Sequence, residues 1–110
     1  MPAERNQTTM TDKERAAIAR LLDIARTGTG QSRRVANFLL AWHNAEENGG
    51  WDPTDLWGMD DQIVLDIVAV IGLIRRIHAY PGDLGFKVEI EGVWECWRGT
   101  TRENRDHARG

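Results

Sequence analysis

In 110 residues the sequence has a single cysteine and no long apolar run, and between Val35 and Ile74 it has no lysine or arginine. One thiol, Cys96, excludes an internal disulfide, so the chain is not a cross-linked secreted scaffold. The longest apolar block, Ile67–Ile74, is less than half of the ~18 residues a membrane span needs. The opening Met1-Pro2-Ala3-Glu4-Arg5-Asn6-Gln7 is polar and lacks the apolar core of a signal peptide. A cytoplasmic protein without membrane association is therefore expected. The length fits one domain that buries roughly two-thirds of its unfolded surface, enough for one modest core.

The missing basic residues leave a polarised chain. Val35–Ile74 holds seven acids, Glu46, Glu47, Asp52, Asp55, Asp60, Asp61 and Asp66. Residues 1–34 carry seven Lys/Arg against four acids, and residues 75–110 carry seven against six, for a net charge of −3 overall. Negative charge gathered into one third of a nearly neutral chain bears on partners more than on fold.

Apolar spacing predicts helices. Residues 1–10 have no periodicity and read as a flexible arm. Thr11-Asp12-Lys13-Glu14 is a capping box, and Ala17, Ile18, Leu21, Leu22 and Ile24/Ala25 follow at helical spacing, giving a first helix over about 12–26 that stops before Gly28. A second runs over 31–48, with Val35, Phe38, Leu39, Trp42 and Ala45 on one face and Gly49-Gly50 behind it. Asp52 before Pro53 starts a short helical turn that Trp51 and Trp57 are expected to pack down. Asp60-Asp61 opens a third helix and Arg75, Arg76 and His78 close it, each where the macrodipole favours its charge, with Pro81-Gly82 as the stop near Ala79. Ile63–Ile74 is apolar on nearly every face, the signature of a central helix surrounded by its neighbours. Phe86, Val88 and Ile90 alternate like a strand, but Phe86, Ile90, Val93, Trp94 and Trp97 form a longer helical stripe, so a fourth helix is expected to end near Arg98-Gly99. Thr100–Gly110 is polar, mixed in charge and expected to be disordered. The fold class is thus all-α: a four-helix domain over 11–99 with an extra helical turn between helices two and three.

No catalytic constellation emerges. Cys96 lies near Glu91 and Glu95, the opposite of the electropositive setting that activates a thiol. His43 with Glu46/Glu47 has metal-ligand spacing on one helix face, but a di-metal bundle needs that motif twice plus two more carboxylates. Gly28-Thr29-Gly30 follows a helix, not a strand, and has no lysine, so it is no phosphate loop. No enzyme activity, cofactor or metal is expected. Thr27–Arg34 has the look of a turn feeding a DNA-recognition helix, but with Gly28 as the turn glycine the buried positions fall on Arg34 and Asn37, and the small position on Ile24. Asp66 faces Ala69, Val70, Leu73 and Ile77, where a carboxylate needs a partner; Arg20, Arg26 and Arg98 are the candidates. Val64, Val68 and Ile71 lie opposite Asp66, and either the first helix or a second copy of the chain must bury them, which makes a homodimer one of two ways to cover this helix.

The block Gly30-Gln31-Ser32-Arg33-Arg34-Val35-Ala36-Asn37-Phe38-Leu39-Leu40-Ala41-Trp42, then Asn44-Ala45-Glu46-Glu47, Gly49-Gly50 and Asp55-Leu56-Trp57, resembles a family of small uncharacterised proteins found on proteobacterial plasmids, integrative elements and related mobile DNA. The likeness covers roughly residues 14–98, including Tyr80-Pro81 and the Trp94/Trp97 end. It implies no activity and transfers no functional residue; its context is that of partners or inhibitors of host systems. The leading expectation is a non-enzymatic protein-interaction module whose acidic/aromatic face comprises Glu46, Glu47, Trp51, Asp52, Asp55, Trp57, Asp60 and Asp61 and suits a protein with basic and apolar features. The alternative is a DNA- or RNA-binding accessory protein using Arg33, Arg34, Arg75 and Arg76. Nucleic acid is the less expected partner.

Overall fold

The computed structural model describes residues 9–99; the expected disordered tail and most of the expected arm lie outside them. Among the described residues all regular structure is helical. The order is α1 (Asp12–Ala25), α2 (Gly30–Asn48), a 3-10 turn (Pro53–Gly58), α3 (Asp61–Arg76), a second 3-10 turn (Pro81–Leu84), α4 (Lys87–Trp94) and a wider π-type turn (Glu95–Gly99). This is the all-α, four-helix architecture the spacing predicts, with its extra turn between α2 and α3. The last segment is helical as expected: Phe86, Ile90 and Val93 are buried, while Val88, which only the strand pattern used, is exposed.

Local chemistry explains where the helices begin. The Thr11 hydroxyl accepts from the Glu14 N–H (3.1 Å) and the Glu14 carboxylate accepts from the Thr11 N–H (3.0 Å), which closes the predicted capping box. α2 has a second box: Thr29 Oγ1 accepts from the Ser32 N–H and Ser32 Oγ from the Thr29 N–H. Asp52 Oδ1 accepts from the Thr54 N–H (2.9 Å) ahead of Pro53, as the Asp-Pro signal requires. α2 is not continuous. Asn44 leaves helical geometry (φ −167°, ψ 87°), and its side-chain oxygen then caps a fresh turn by accepting from the Glu47 N–H. Gly49, at φ +92°, ends it.

The core revises one expectation. α1, not α3, is the hub: Ala17, Ile18, Leu21, Leu22 and Ala25 are buried between α2, α3 and α4. α2 contributes Val35, Ala36, Phe38, Leu39 and Leu40, and α4 contributes Ile90 and Val93. α3 packs mainly on α1 and is peripheral. It buries Ile63, Asp66, Ile67, Val70 and Leu73, while Leu65, Val68 and Ile71 stand exposed on its outer face. α1 therefore does not cover Val68 and Ile71; the apolar outer face misled the reading of α3 as central. α3 is also shorter than expected, ending at Arg76 with Ile77 extended.

Two ion pairs tie α3 to α1 in antiparallel sense. Near the middle of α3, Arg20 grips buried Asp66 with two bonds (Nε–Oδ2 2.9 Å, Nη2–Oδ1 2.8 Å), and Gln62 donates to the same carboxylate at 3.0 Å. At its C-terminal end Arg76 grips Glu14 with two bonds of 2.6 and 2.9 Å and also donates to the Thr9 carbonyl. Tryptophans tie down the rest. Trp42 Nε1 donates to the Ala79 carbonyl just past α3, and Trp97 Nε1 donates to Ala25, satisfying a carbonyl of the α1 C-terminus.

Candidate functional site

The acidic/aromatic segment splits by role. Trp51 is a core anchor: it meets Phe38 edge-to-face with centroids 5.0 Å apart, and its buried Nε1 has no hydrogen-bond partner among the described residues. Leu56 and buried Met59 hold the loop down beside it. Of the two readings open for Trp57, loop anchor or member of the acidic/aromatic face, the packing one fails. Trp57 is 86% exposed, the most exposed large apolar side chain among the described residues. The six-residue 3-10 turn buries none of its residues, and sequence spacing does not resolve which way a single short turn points its indole.

The carboxylates around Trp57 differ in freedom. Asp52 is committed to Thr54, whose backbone N–H and then hydroxyl hold its carboxyl below the ordinary range. Asp60 is tied to Gln31 by two bonds, its N–H donating to Gln31 Oε1 (2.7 Å) and its Oδ2 accepting from Gln31 Nε2 (3.2 Å). Asp55 is half-buried, and Asp61 is exposed in the first turn of α3. Glu46 and Glu47 belong elsewhere. Gln31 and Glu47 stand near opposite ends of α2, with about 18 Å of helix between Gln31 and His43 alone, before the Asn44 break, so the eight residues do not form one continuous face.

Glu47 instead borders an open hollow of about 430 Å³ with His43, Asn48, Glu91, Trp94 and Glu95. α4 supplies Glu91 and Trp94 and the π-type turn Glu95, an association between distant segments that nothing in their spacing announces. The His43 Nδ1 is buried without a hydrogen-bond partner among the described residues. The Asn44 break falls between His43 and Glu46/Glu47, so the helical spacing that would align them as metal ligands is interrupted. Among the described residues no group of three His, Cys, Asp or Glu side chains is placed to hold a metal ion. Cys96 is exposed.

The four arginines of the alternative reading are not brought together. Arg33 is exposed, but Arg34 folds over the loop and donates to the Gly58 carbonyl at 3.4 Å. Arg75 is exposed, whereas Arg76 is committed to Glu14. Arg33 and Arg34 sit at the N-terminus of α2, which faces the N-terminus of α3 through Gln31 and Asp60; Arg75 and Arg76 sit at the far end of α3.

The electrostatics of the interior are structural. Arg76 holds the Glu14 carboxyl well down, from 4.5 to about 2, against the opposing effect of burial, with Thr11 helping. Glu14 raises Arg76 in return, and Asp66 raises Arg20. No described helix is long and apolar enough to cross a membrane.

Comparison with known proteins places the chain without assigning it an activity. No curated protein and no solved structure matches it. Residues 15–98, from the first turns of α1 to the π-type turn and so nearly the whole described fold, match a family of unknown function. The chain is a member of that family, DUF7673.

Proposed function

We propose that this protein is a non-enzymatic interaction module, cytoplasmic and encoded by a mobile element, that regulates or inhibits a host system by docking a protein through the surface around Trp57. The observation that supports this reading is the 86% exposure of the Trp57 indole on a segment whose charged side chains, Asp52, Asp55, Asp60 and Asp61, are all acidic. An exposed indole keeps a large apolar surface in water, which a partner surface would bury favourably, and tryptophan is among the residues most enriched at the energetic centres of interfaces. The surrounding carboxylates fit a partner that offers basic side chains around an apolar pocket.

Affinity capture from host lysate tests the reading, with wild-type and Trp57→Ala baits, each with and without nuclease. A protein retained by wild type after nuclease and lost with Trp57→Ala supports it. Retention that disappears with nuclease, or that is indifferent to Trp57, rejects it. The variant is a clean control because an indole this exposed contributes little to folding.

A further inference from the structure

The outer face of α3 carries a sequence arrangement that reads the same against itself when reversed. Leu65, Val68 and Ile71 are 62%, 54% and 41% exposed, and Val64 is only partly buried. Spacings of three and four place these residues on one side of the helix together with Asp61, Gly72 and Arg75. Asp61 lies two turns before Val68 and Arg75 two turns after it. Among the described residues neither has an ion-pair or side-chain hydrogen-bond partner. Gly72 sits within the stripe, and a Cβ added there would meet nothing within 4 Å. Among the described residues, then, nothing explains why a helix should carry the least helix-favouring non-proline residue on an open face.

We infer that this face is a two-fold antiparallel interface between two copies of the chain, centred on Val68. An antiparallel pair with Val68 opposite Val68 sets Asp61 of each copy against Arg75 of the other, so each end of the seam closes with a complementary charge pair. Leu65 of one copy meets Ile71 of the other. Val64 meets Gly72, and the missing side chain there lets the two backbones approach closely. A parallel pairing would instead set Asp61 against Asp61 and Arg75 against Arg75. The charge order therefore selects both the occupant and its direction, and a two-fold contact of this kind is self-limiting at the dimer. The seam from Asp61 to Arg75 is about 21 Å long. One helix pair of that length is small beside the ~1,600 Å² of a standard interface. The dimer is accordingly a reversible, micromolar one and not the obligate dimer of a domain that cannot fold alone. It does not rest on the Trp57 reading: Trp57 lies outside α3, and Asp61 is the one residue the two surfaces share.

Light scattering and sedimentation over ~1–100 μM test it. Wild type should rise from the monomer mass of 12.5 kDa towards twice that value as concentration increases. Val68→Asp should weaken association at least tenfold with an unchanged far-UV helix signal. D61R alone and R75D alone should each be weakened, because each homodimer then has two like-charge contacts. An equimolar mixture of the two should recover association, because D61R against R75D restores both opposite-charge pairs. Gly72→Leu should melt no lower than wild type yet dimerise less, a pair of readouts that a misfolded variant cannot give. A constant monomer mass for wild type to 100 μM overturns the proposal. A dimer that persists in Val68→Asp, or a mixture no tighter than its components, also overturns it.

Discussion

Replacing Glu14 by Gln keeps an oxygen that can cap the Thr11 N–H but removes the charge that Arg76 grips. In the folded protein the Glu14 carboxyl is held from 4.5 down to about 2, chiefly by the paired bonds from Arg76. A displacement of that size corresponds to roughly 3 kcal/mol of preference for the charged form. The Arg76 side chain is 24% exposed and Glu14 11%, so water screens part of it, leaving about 2 kcal/mol. Because the folded-state value lies below the unfolded one, the folded chain binds fewer protons between them. The stabilisation is fully present above about 4.5 and is lost as the pH falls towards about 2. Urea melts of wild type and Glu14→Gln at a series of pH values read this directly. At pH 7 the variant's midpoint should lie about 1 M lower, given slopes of ~1–3 kcal/mol per molar urea. The two midpoints should then converge between pH 5 and 2.5, since every other carboxylate titrates in both proteins and cancels. Midpoints that stay parallel through that window would refute the assignment of the Glu14 charge as the stabilising element.

Three further outcomes follow from the packing. Ile18→Ala, at a fully buried position of the hub helix, should cost roughly 2–5 kcal/mol in a denaturant melt, whereas Ile71→Ala on the outer face of α3 should cost less than 1. Asp66→Ala should lower the denaturation midpoint by removing the acceptor that joins Arg20 and Gln62 and leaving space at a buried position, but Asp66→Leu should recover most of that loss by filling the space, since Arg20 is half in water and can turn outward. In a gel-shift titration at physiological salt, random duplex DNA should bind negligibly, because the arginines of the alternative reading are dispersed and two of them are engaged; a tight, salt-sensitive shift abolished by Arg33→Ala with Arg34→Ala would overturn this.

Local signals in the sequence carried the fold well where a few adjacent residues decide the outcome. Thr11 with Glu14, Asp52 with Pro53, and the acids and arginines at the ends of α3 each act within one helical turn and appear in the structure as read, but His78, expected in the last turn of α3, falls beyond its Arg76 end. The Thr29–Ser32 box escaped because serine stands where the pattern calls for a glutamate or glutamine. The break at Asn44 escaped because the apolar stripe continues up to it. Asp66 was legible as a residue needing a cation, yet choosing Arg20 over Arg26 and Arg98 requires knowing which helices touch. The reading of α3 as central failed for a related reason. Hydrophobicity on all sides records that a surface is apolar, not that this chain supplies the cover. The candidate surface was legible only as a segment: composition marked 46–61, but not that Glu46 and Glu47 lie apart from the rest, nor that Trp51 turns inward and Trp57 outward.

The two ion pairs between α1 and α3 have a consequence for alignment. Apolar stripes on neighbouring helices repeat every turn, so oil-like contact alone is nearly indifferent to sliding one helix along the other by one pitch, about 5.4 Å. Glu14–Arg76 and Arg20–Asp66 remove that degeneracy together, because a one-turn slip separates both pairs at once and strands Asp66 in apolar surroundings. The height of α3 is thereby single-valued, and so are the positions of everything fixed to it, from the Asp60 end that abuts Gln31 to Arg75 near the opposite tip. The buried charges thus work like the ward of a key, contributing less to how tightly the helices hold than to the one setting at which they engage.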